Sequence, residues 1–496
     1  MSSIRLGGLA TGMDTDTIIK QLMTAKREPL NKLNQQKTKL EWQQEAYRDI
    51  TIKMVDLRNN KLANLKLSSN LNTLASSVAG NTTAVTAKAQ TGAVAGTTTI
   101  EVHSLATAAT ITSASIGTNV DISKSLAELN LATGDTTIEI NGEPITFKST
   151  DTLASVINTI NKNSKVNATA YFDNVSGKLV LTSKTQGENG VLTFSGDLLT
   201  NKFQLDEADV TSGVNADVTI NGIRTSRSSN SFTENGVSYT LNAKSEGIAS
   251  TITTKMDTSK VVESIKSYIT AYNDILDAIN PKLSEKKFLT YQPLTDEQKE
   301  DMEEEEIKLW EEKAKSGILK NDTILSSLVS NLRLGTITDV NVNGTNVNIT
   351  SLGITTGSWS EKGKLHLDED KLIEALEKNP EQVIGFFTQN TKETDATKSK
   401  LVTTPDSGLF NRMYNELQTA LNSLAEKAGT SRSSTSTTEV FNPSSLIGTQ
   451  LIDLDRRIDL WEDRLVTIEN NYYKQFSSME TAVNKLNSQA SSLFSS

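Results

Sequence analysis

The sequence predicts an α+β, multidomain chain in which terminal helices form a coiled-coil or helical-bundle stalk and β-rich head domains are inserted between them. Three observations carry that expectation. Apolar residues recur every seven positions near both ends, the middle alternates Ser and Thr with Val and Ile, and the chain has 496 residues. At ~100 to 200 residues per domain, that length asks for about three or four domains. The apolar fraction is 36 %; counting Gly in place of Tyr raises it to about 40 %, still under the ~45 to 50 % of globular chains. Small cores and elongated parts follow.

A short Gly-rich leader precedes Asp14 and Asp16, either of which is a candidate helix cap before Ile18, Ile19, Leu22 and Met23. Pro29 is expected to interrupt this first helix, because it removes a donor and disfavours helical geometry in the residue before it. Beyond it Leu33, Leu40, Tyr47 and Met54 recur every seven residues, with Ile50 and Leu57 three after the last two. That is the seam of a coiled coil.

From about Ser68 to about Thr254 the composition turns to Ser, Thr, Ala, Val and Gly, and runs such as Thr99-Ile100-Glu101-Val102 read as half-buried strand. Thr137-Ile138-Glu139-Ile140-Asn141-Gly142 and Asp217-Val218-Thr219-Ile220-Asn221-Gly222 look like two copies of one unit. Asp339-Val340-Asn341-Val342-Asn343-Gly344 is a weaker third. In each, Asn-Gly supplies the positive φ of a tight hairpin. A helix is expected over 152–160, where Leu153, Val156, Ile157 and Ile160 share a face.

Helical periodicity returns at Val261, Ile265, Ile269, Tyr272, Leu276 and Ile279, and Pro281 is expected to stop it. The acidic stretch 296–312 reads as a solvated face with a thin apolar edge of Met302, Ile307, Trp310 and Ala314. It lacks the alternating oxygen ligands of a calcium loop. Residues 432–438 read as an exposed Ser/Thr loop. The final helix carries Leu451, Leu454, Ile458, Trp461, Leu465, Ile468 and Tyr472 in steps of three and four. Phe476, Met479, Val483 and Leu486 then follow after one extra step of four, a stutter. The two terminal stripes bury most simply against each other or against neighbouring subunits.

The corresponding division is as follows: residues 1–40 and 441–496 as terminal leg helices; 41–78 and 256–440 as a helical-bundle leg domain with a small β element near 336–367; 79–112 and 213–255 as a β-rich head domain; and 113–212 as an outer β-rich head domain. The ends, roughly 1–36 and 441–496, are expected to be mobile in an isolated subunit and to order on assembly.

Several function classes drop out. A net charge of −10 disfavours a nucleic-acid partner, whose binding needs clustered Lys and Arg. No run approaches the ~18 apolar residues of a membrane span, so no membrane insertion is expected. The leader lacks the apolar core of a secretory signal. The chain has no Cys and only two His, His103 and His366, far apart and without helical ligand spacing, so no metal site or cofactor is expected. No phosphate loop, dinucleotide fingerprint or nucleophile elbow occurs. Asp368 and Asp370 read as acids at a helix start, where they favour the dipole. No catalytic residue is expected, and a cell-wall hydrolase would need a carboxylate or metal constellation that is missing.

The opening Ile4-Arg5-Leu6-Gly7-Gly8-Leu9-Ala10-Thr11-Gly12-Met13-Asp14 closely resembles the N-terminal signature of the flagellar filament-capping family, also called hook-associated protein 2 or FliD. Residues 217–242 resemble the hook IN motif of axial flagellar components. Leu352-Gly353-Ile354, residues 363–376, Asn379-Pro380 and Phe386-Phe387 resemble the family's C-terminal domain. The resemblance implies a filament cap at the distal tip of the bacterial flagellum that promotes flagellin polymerisation and prevents loss of unpolymerised flagellin. It implies a ring-shaped homo-oligomer, commonly of five subunits, with flagellin, hook-filament junction proteins and a cytoplasmic export chaperone as partners. It further implies export through the flagellar type III channel without a cleaved signal peptide. Terminal heptads alone leave another axial protein open, and a filament tip also suits an adhesin for mucin or a host surface.

Overall fold

The computed structural model describes residues 14–494; of the opening signature, everything before Asp14 lies outside the described residues. The chain divides into two compact units. One comprises the described residues up to Asn72 together with those from Thr258 onward, and the other is Thr73–Asp257.

In the first unit a helix runs over Thr15–Val55, capped by Asp14, whose carboxylate accepts from the Thr17 N–H at 3.0 Å. Of the two candidate caps, Asp14 is therefore the one used. The expected interruption at Pro29 does not occur: the helix passes through it. An interior proline costs about 3 kcal/mol, and the cost is offset here because Met23, Leu30 and Leu33 on either side are packed into apolar clusters with the last helix. The helix then widens into a π segment, Asp56–Leu62.

This distal half of the first helix packs into a bundle with helices Thr258–Ser284 and Leu409–Ala428, and both of these also pack against Thr323–Ile337. Tyr47, Met54, Leu57, Tyr268, Tyr272 and Phe410 are fully buried there. Phe410 meets Tyr268 edge-on, centroids 4.9 Å apart, and stacks at 5.0 Å on Phe387. Pro281 does not stop its helix either; it stands in the last turn, which runs on to Ser284. The missing donor is felt over one turn only, and the Ser284 hydroxyl donates to the Asn280 carbonyl at 2.9 Å.

Each of the three Asn-Gly pairs closes a hairpin, because Asn and Gly tolerate the left-handed region that a two-residue turn requires. Asn141/Gly142, Asn221/Gly222 and Asn343/Gly344 all have φ between 50° and 90°. A fourth pair, Asn235-Gly236, does the same between Ser231–Glu234 and Val237–Leu241. In the helical unit the 343–344 turn joins Val340–Val342 to Thr345–Val347, and a second small ribbon pairs Ile354–Thr356 with Leu365–Leu367. Asp368 then caps Glu369–Lys378, accepting from the Lys371 N–H. The acidic stretch forms two helices, Asp296–Glu300 and Glu304–Lys315. Trp310 from its apolar edge packs on Tyr291 and donates to the Gln292 carbonyl at 2.8 Å.

The Thr73–Asp257 unit opens and closes on one antiparallel pair, Leu74–Gly80 with Ser250–Met256. That pair belongs to a five-stranded sheet which continues through Gly96–Ser104, Ala216–Ile220 and Ile223–Arg227. A three-stranded sheet of Ser231–Glu234, Val237–Leu241 and Val85–Ala89 lies with it around a core that includes Val85, Ile100, Val102, Val218, Tyr239 and Ile252. A second core gathers residues between Ala109 and Leu205, among them Ile138, Phe147, Ile160, Leu181 and Phe203. Its helix is Leu153–Lys162, capped by Thr152.

Candidate assembly surface

The sequence-predicted seam residues are brought together in two places. The last helix, Leu446–Phe494, runs antiparallel to the first: low numbers on one meet high numbers on the other. Ile19, Met23 and Leu465 are buried together, with Leu30, Ile468, Tyr472, Tyr473 and Phe476 half-covered around them. One step along, Leu33 meets Leu454 and Ile458, flanked by Leu40 and Trp461. Leu451 is half-buried at the end of the stripe. Past Phe476 the stripe opens, and Met479 and Leu486 are exposed.

Polar contacts fix the pairing at its edges. Lys37 reaches Asp455 at 2.7 Å, and that hydrogen bond is the main reason its ammonium is held above the usual lysine range. Tyr473 donates to Asp16 at 3.0 Å. On one flank the two helices leave an open groove of about 530 Å³, floored by Leu40 and Leu454 and walled by Gln36, Lys39, Gln450 and Arg457.

Tyr47, Ile50, Met54 and Leu57, read from the same heptads, are not in this seam. They are buried farther along, where the first helix and its π extension pack against the Thr258–Ser284 and Leu409–Ala428 helices. The Tyr47 hydroxyl donates to Asp322 at 2.7 Å, and Lys427 pairs with the same carboxylate. Burial alone would raise the Asp322 pKa, but the Lys427 ammonium, the Leu325 N–H and the Tyr47 hydroxyl outweigh it and hold the carboxyl below its ordinary range. Burial, and then the donated hydrogen bond, push the Tyr47 phenol well up.

Sequence reading missed Ile19, Met23 and Leu30 as seam members. The signal was partial: Ile19, Met23, Leu30, Leu33 and Leu40 fall on the four-three spacing, but the same spacing puts Lys at 26 and 37, and Pro29 stands inside the run. The same spacing continues through 44, 47, 51, 54 and 58. It places three buried polar side chains, Gln44, Thr51 and Arg58, one per heptad. Each finds a partner at the end of the Leu409–Ala428 helix or just past it. Gln44 donates to the Ala428 carbonyl at 2.8 Å, Thr51 meets Thr430 at 3.4 Å, and Arg58 donates to the Arg432 carbonyl at 2.6 Å. Arg48 holds the following loop through the Thr437 and Glu439 carbonyls, both at 2.9 Å.

His103 bonds Thr219 at 2.8 Å and His366 pairs with Glu361. Among the described residues no group of three or more His, Cys, Asp or Glu is placed to hold a metal ion, and no helix is long and apolar enough to cross a membrane.

Comparison with known proteins gives this helical pair its context. Residues 11–109 match the family model for the flagellar hook-associated protein 2 N-terminus, and residues 213–488 match that for its C-terminus. The chain is 32 % identical to flagellar hook-associated protein 2 of Halalkalibacterium halodurans over 99 % of both chains. It is 27 % identical to the Escherichia coli K12 protein of the same name, over 99 % of this chain and 98 % of that one. In fold it is similar to the D1-D2-D3 domains of the E. coli flagellar cap protein FliD, with a TM-score of 0.51 at 21 % identity, covering 83 % of this chain and 99 % of that one. The chain belongs to the flagellar hook-associated protein 2 (FliD) family.

Proposed function

We propose that this chain is the filament cap of the bacterial flagellum, a structural protein that works at the distal tip as a homo-oligomer, promotes flagellin polymerisation and keeps unpolymerised flagellin from escaping. The observation that carries the reading is the full-length relationship to flagellar hook-associated protein 2, together with family matches that cover most of both terminal helices and the two ends of the strand-rich unit.

The helical pair supports it physically. Within the chain its seam is thin, with three buried apolar residues in each cluster, and it leaves apolar side chains such as Leu460 and Val466 exposed for weak contacts at the tip. A cap held by an obligate-sized interface could not step forward. The finer reading is a ring of five subunits whose legs are the paired terminal helices, with hook-filament junction proteins and a cytoplasmic export chaperone as further partners. Export runs through the flagellar type III channel.

The test is deletion of the gene followed by complementation. Hooks without filaments, flagellin in the medium and rescue by added protein are expected. Normal filaments in the deletion strain would overturn the reading.

A further inference from the structure

Among the described residues the most exposed large apolar side chain is Trp359, at 91 % of its free surface. It is not on a loose loop. It sits at the tip of the ribbon formed by Ile354–Thr356 and Leu365–Leu367, in a single 3-10 turn, Trp359–Glu361. The turn is closed by the Gly357 N–H to the Lys364 carbonyl at 3.0 Å and the Glu361 N–H to the Ser358 carbonyl at 2.9 Å. His366, on the returning strand, holds the Glu361 carboxylate.

The ribbon is in turn fixed to the Thr258–Ser284 helix. Asn273 both donates to the Leu365 carbonyl and accepts from the Leu365 N–H, each at 2.9 Å, and Lys364 pairs with Asp277 at 2.6 Å. The turn that presents this tryptophan is braced through its backbone and its neighbours, so the chain at the anchor is already ordered, and tryptophan is among the side chains enriched at interface anchors.

The same unit carries a socket of matching chemistry in the groove beside the leg seam. Its floor, Leu40 and Leu454, is apolar, and Gln450 can accept from an indole N–H. Lys39 and Arg457 offer cations to the ring face. Its volume of about 530 Å³ falls within the ~300 to 1,000 Å³ typical of ligand-sized sites. The knob carries the acid Glu361, and of the groove's charges Arg457 and Asp453 pair with each other at 3.9 Å, which leaves Lys39 as the cation open to an acid.

Lys39 lacks an anion. Among the described residues no carboxylate pairs with it, its hydrogen bond goes to the neutral Gln292, and burial and then Lys287 hold its pKa below the usual lysine value.

We infer that Trp359 of one copy of this chain seats in the Leu40/Leu454 groove of the next, with Glu361 approaching Lys39. The inference rests on the homo-oligomeric reading above and deepens it. Knob and socket are different surfaces of the protomer, so the contact is heterologous, the kind that generates a ring when the rotation closes. A second copy is the favoured occupant because both complementary halves are present on one chain.

The chain has no Cys, which makes the test clean. Full-length Ser360→Cys and Thr449→Cys proteins, which keep Trp359 and the groove residues named above, are prepared separately, then mixed and oxidised. Covalent dimers are expected in the mixture and not in either protein alone; a mixture that cross-links no better than its components overturns the contact. In parallel, sedimentation across a concentration series compares wild type with Trp359→Ala and Lys39→Glu. The concentration for half-assembly is expected to rise about tenfold or more in each, with unchanged thermal unfolding for Trp359→Ala. A wild-type chain that stays monomeric throughout would defeat the oligomeric reading and the contact together. A wild type that assembles with the same midpoint as Trp359→Ala would defeat the contact alone.

Discussion

Arg412 has no exposed surface, and no carboxylate pairs with it among the described residues. Its guanidinium is instead held by four backbone carbonyls: Gly335 at 3.2 Å, Thr338 at 2.7 Å, and Asp339 and Thr404 at 2.9 Å each. Burial pulls its pKa down to about 10, so it is still charged at neutral pH. It gathers the end of the Thr323–Ile337 helix, the entry to the first small ribbon and the 404 loop with one planar fork, which a lysine cannot reproduce. Arg412→Met leaves those carbonyls without their donor and is expected to destabilise the helical unit by roughly 3 kcal/mol, read as a lowered urea midpoint. Asp322 sets a pH dependence. Its folded pKa lies below the unfolded value, so its contribution is fully present above about pH 4 and is lost as pH falls through the folded pKa. The helical unit is therefore expected to weaken in acid. Asp322→Asn should flatten that limb while costing about 3 kcal/mol at neutral pH, since it leaves Lys427 unpaired; thermal melts from pH 3 to pH 7 would measure both.

At the scale of elements, the first helix changes partner along its length while its repeat stays constant. Residues 19–40 line a two-helix seam, and residues 44–58 enter a bundle. What distinguishes the halves is the polar residue in each later heptad: Gln44, Thr51 and Arg58 each require a partner that the end of the Leu409–Ala428 helix and the residues after it provide. A slip of the helix would leave these groups buried and unpaired, so they set its register. The seam half carries one polar residue at the same heptad position, Lys37, which is half-buried and pairs with Asp455 at the seam's edge. Leu465→Lys or Ile468→Asp would place an unpaired charge in the seam, and the expected outcome is loss of filament growth with the Thr73–Asp257 unit still folded. Wild-type swarming of such a mutant would contradict the assignment of this pair as the leg.

At the scale of the whole molecule, Thr73–Asp257 begins and ends on adjacent strands, with the Asp257 N–H donating to the Thr73 carbonyl at 2.8 Å. It carries two apolar cores of its own. A fragment spanning 73–257 is therefore expected to fold alone, with a cooperative thermal transition and dispersed amide resonances. The family models match on both sides of residues 110–212, the stretch that supplies the second core. That core is built by ordinary alternation, as along Ala168–Asp173, where inward Ala168, Ala170 and Phe172 are separated by outward residues.

The sequence by itself determined what is local. Asn-Gly pairs dictate their hairpins because the turn geometry is set by two residues, and heptads dictate which face of a helix is covered because the period is a property of the backbone. The first cap was legible as one of two residues, Asp14 or Asp16, whereas Thr152, read as the first residue of its helix, is its cap. Only the tertiary structure decided what covers each face. Pro29 and Pro281 read as helix breaks, yet the proline penalty is a few kcal/mol, and packing of Met23, Leu30 and Leu33 can outweigh it. Tyr47 and Leu33 occupy equivalent heptad positions but face different partners, since periodicity carries no information about the neighbour. The braced turn under Trp359 depends on Asn273 and Asp277, which lie far from it along the chain and which folding alone brings to its base.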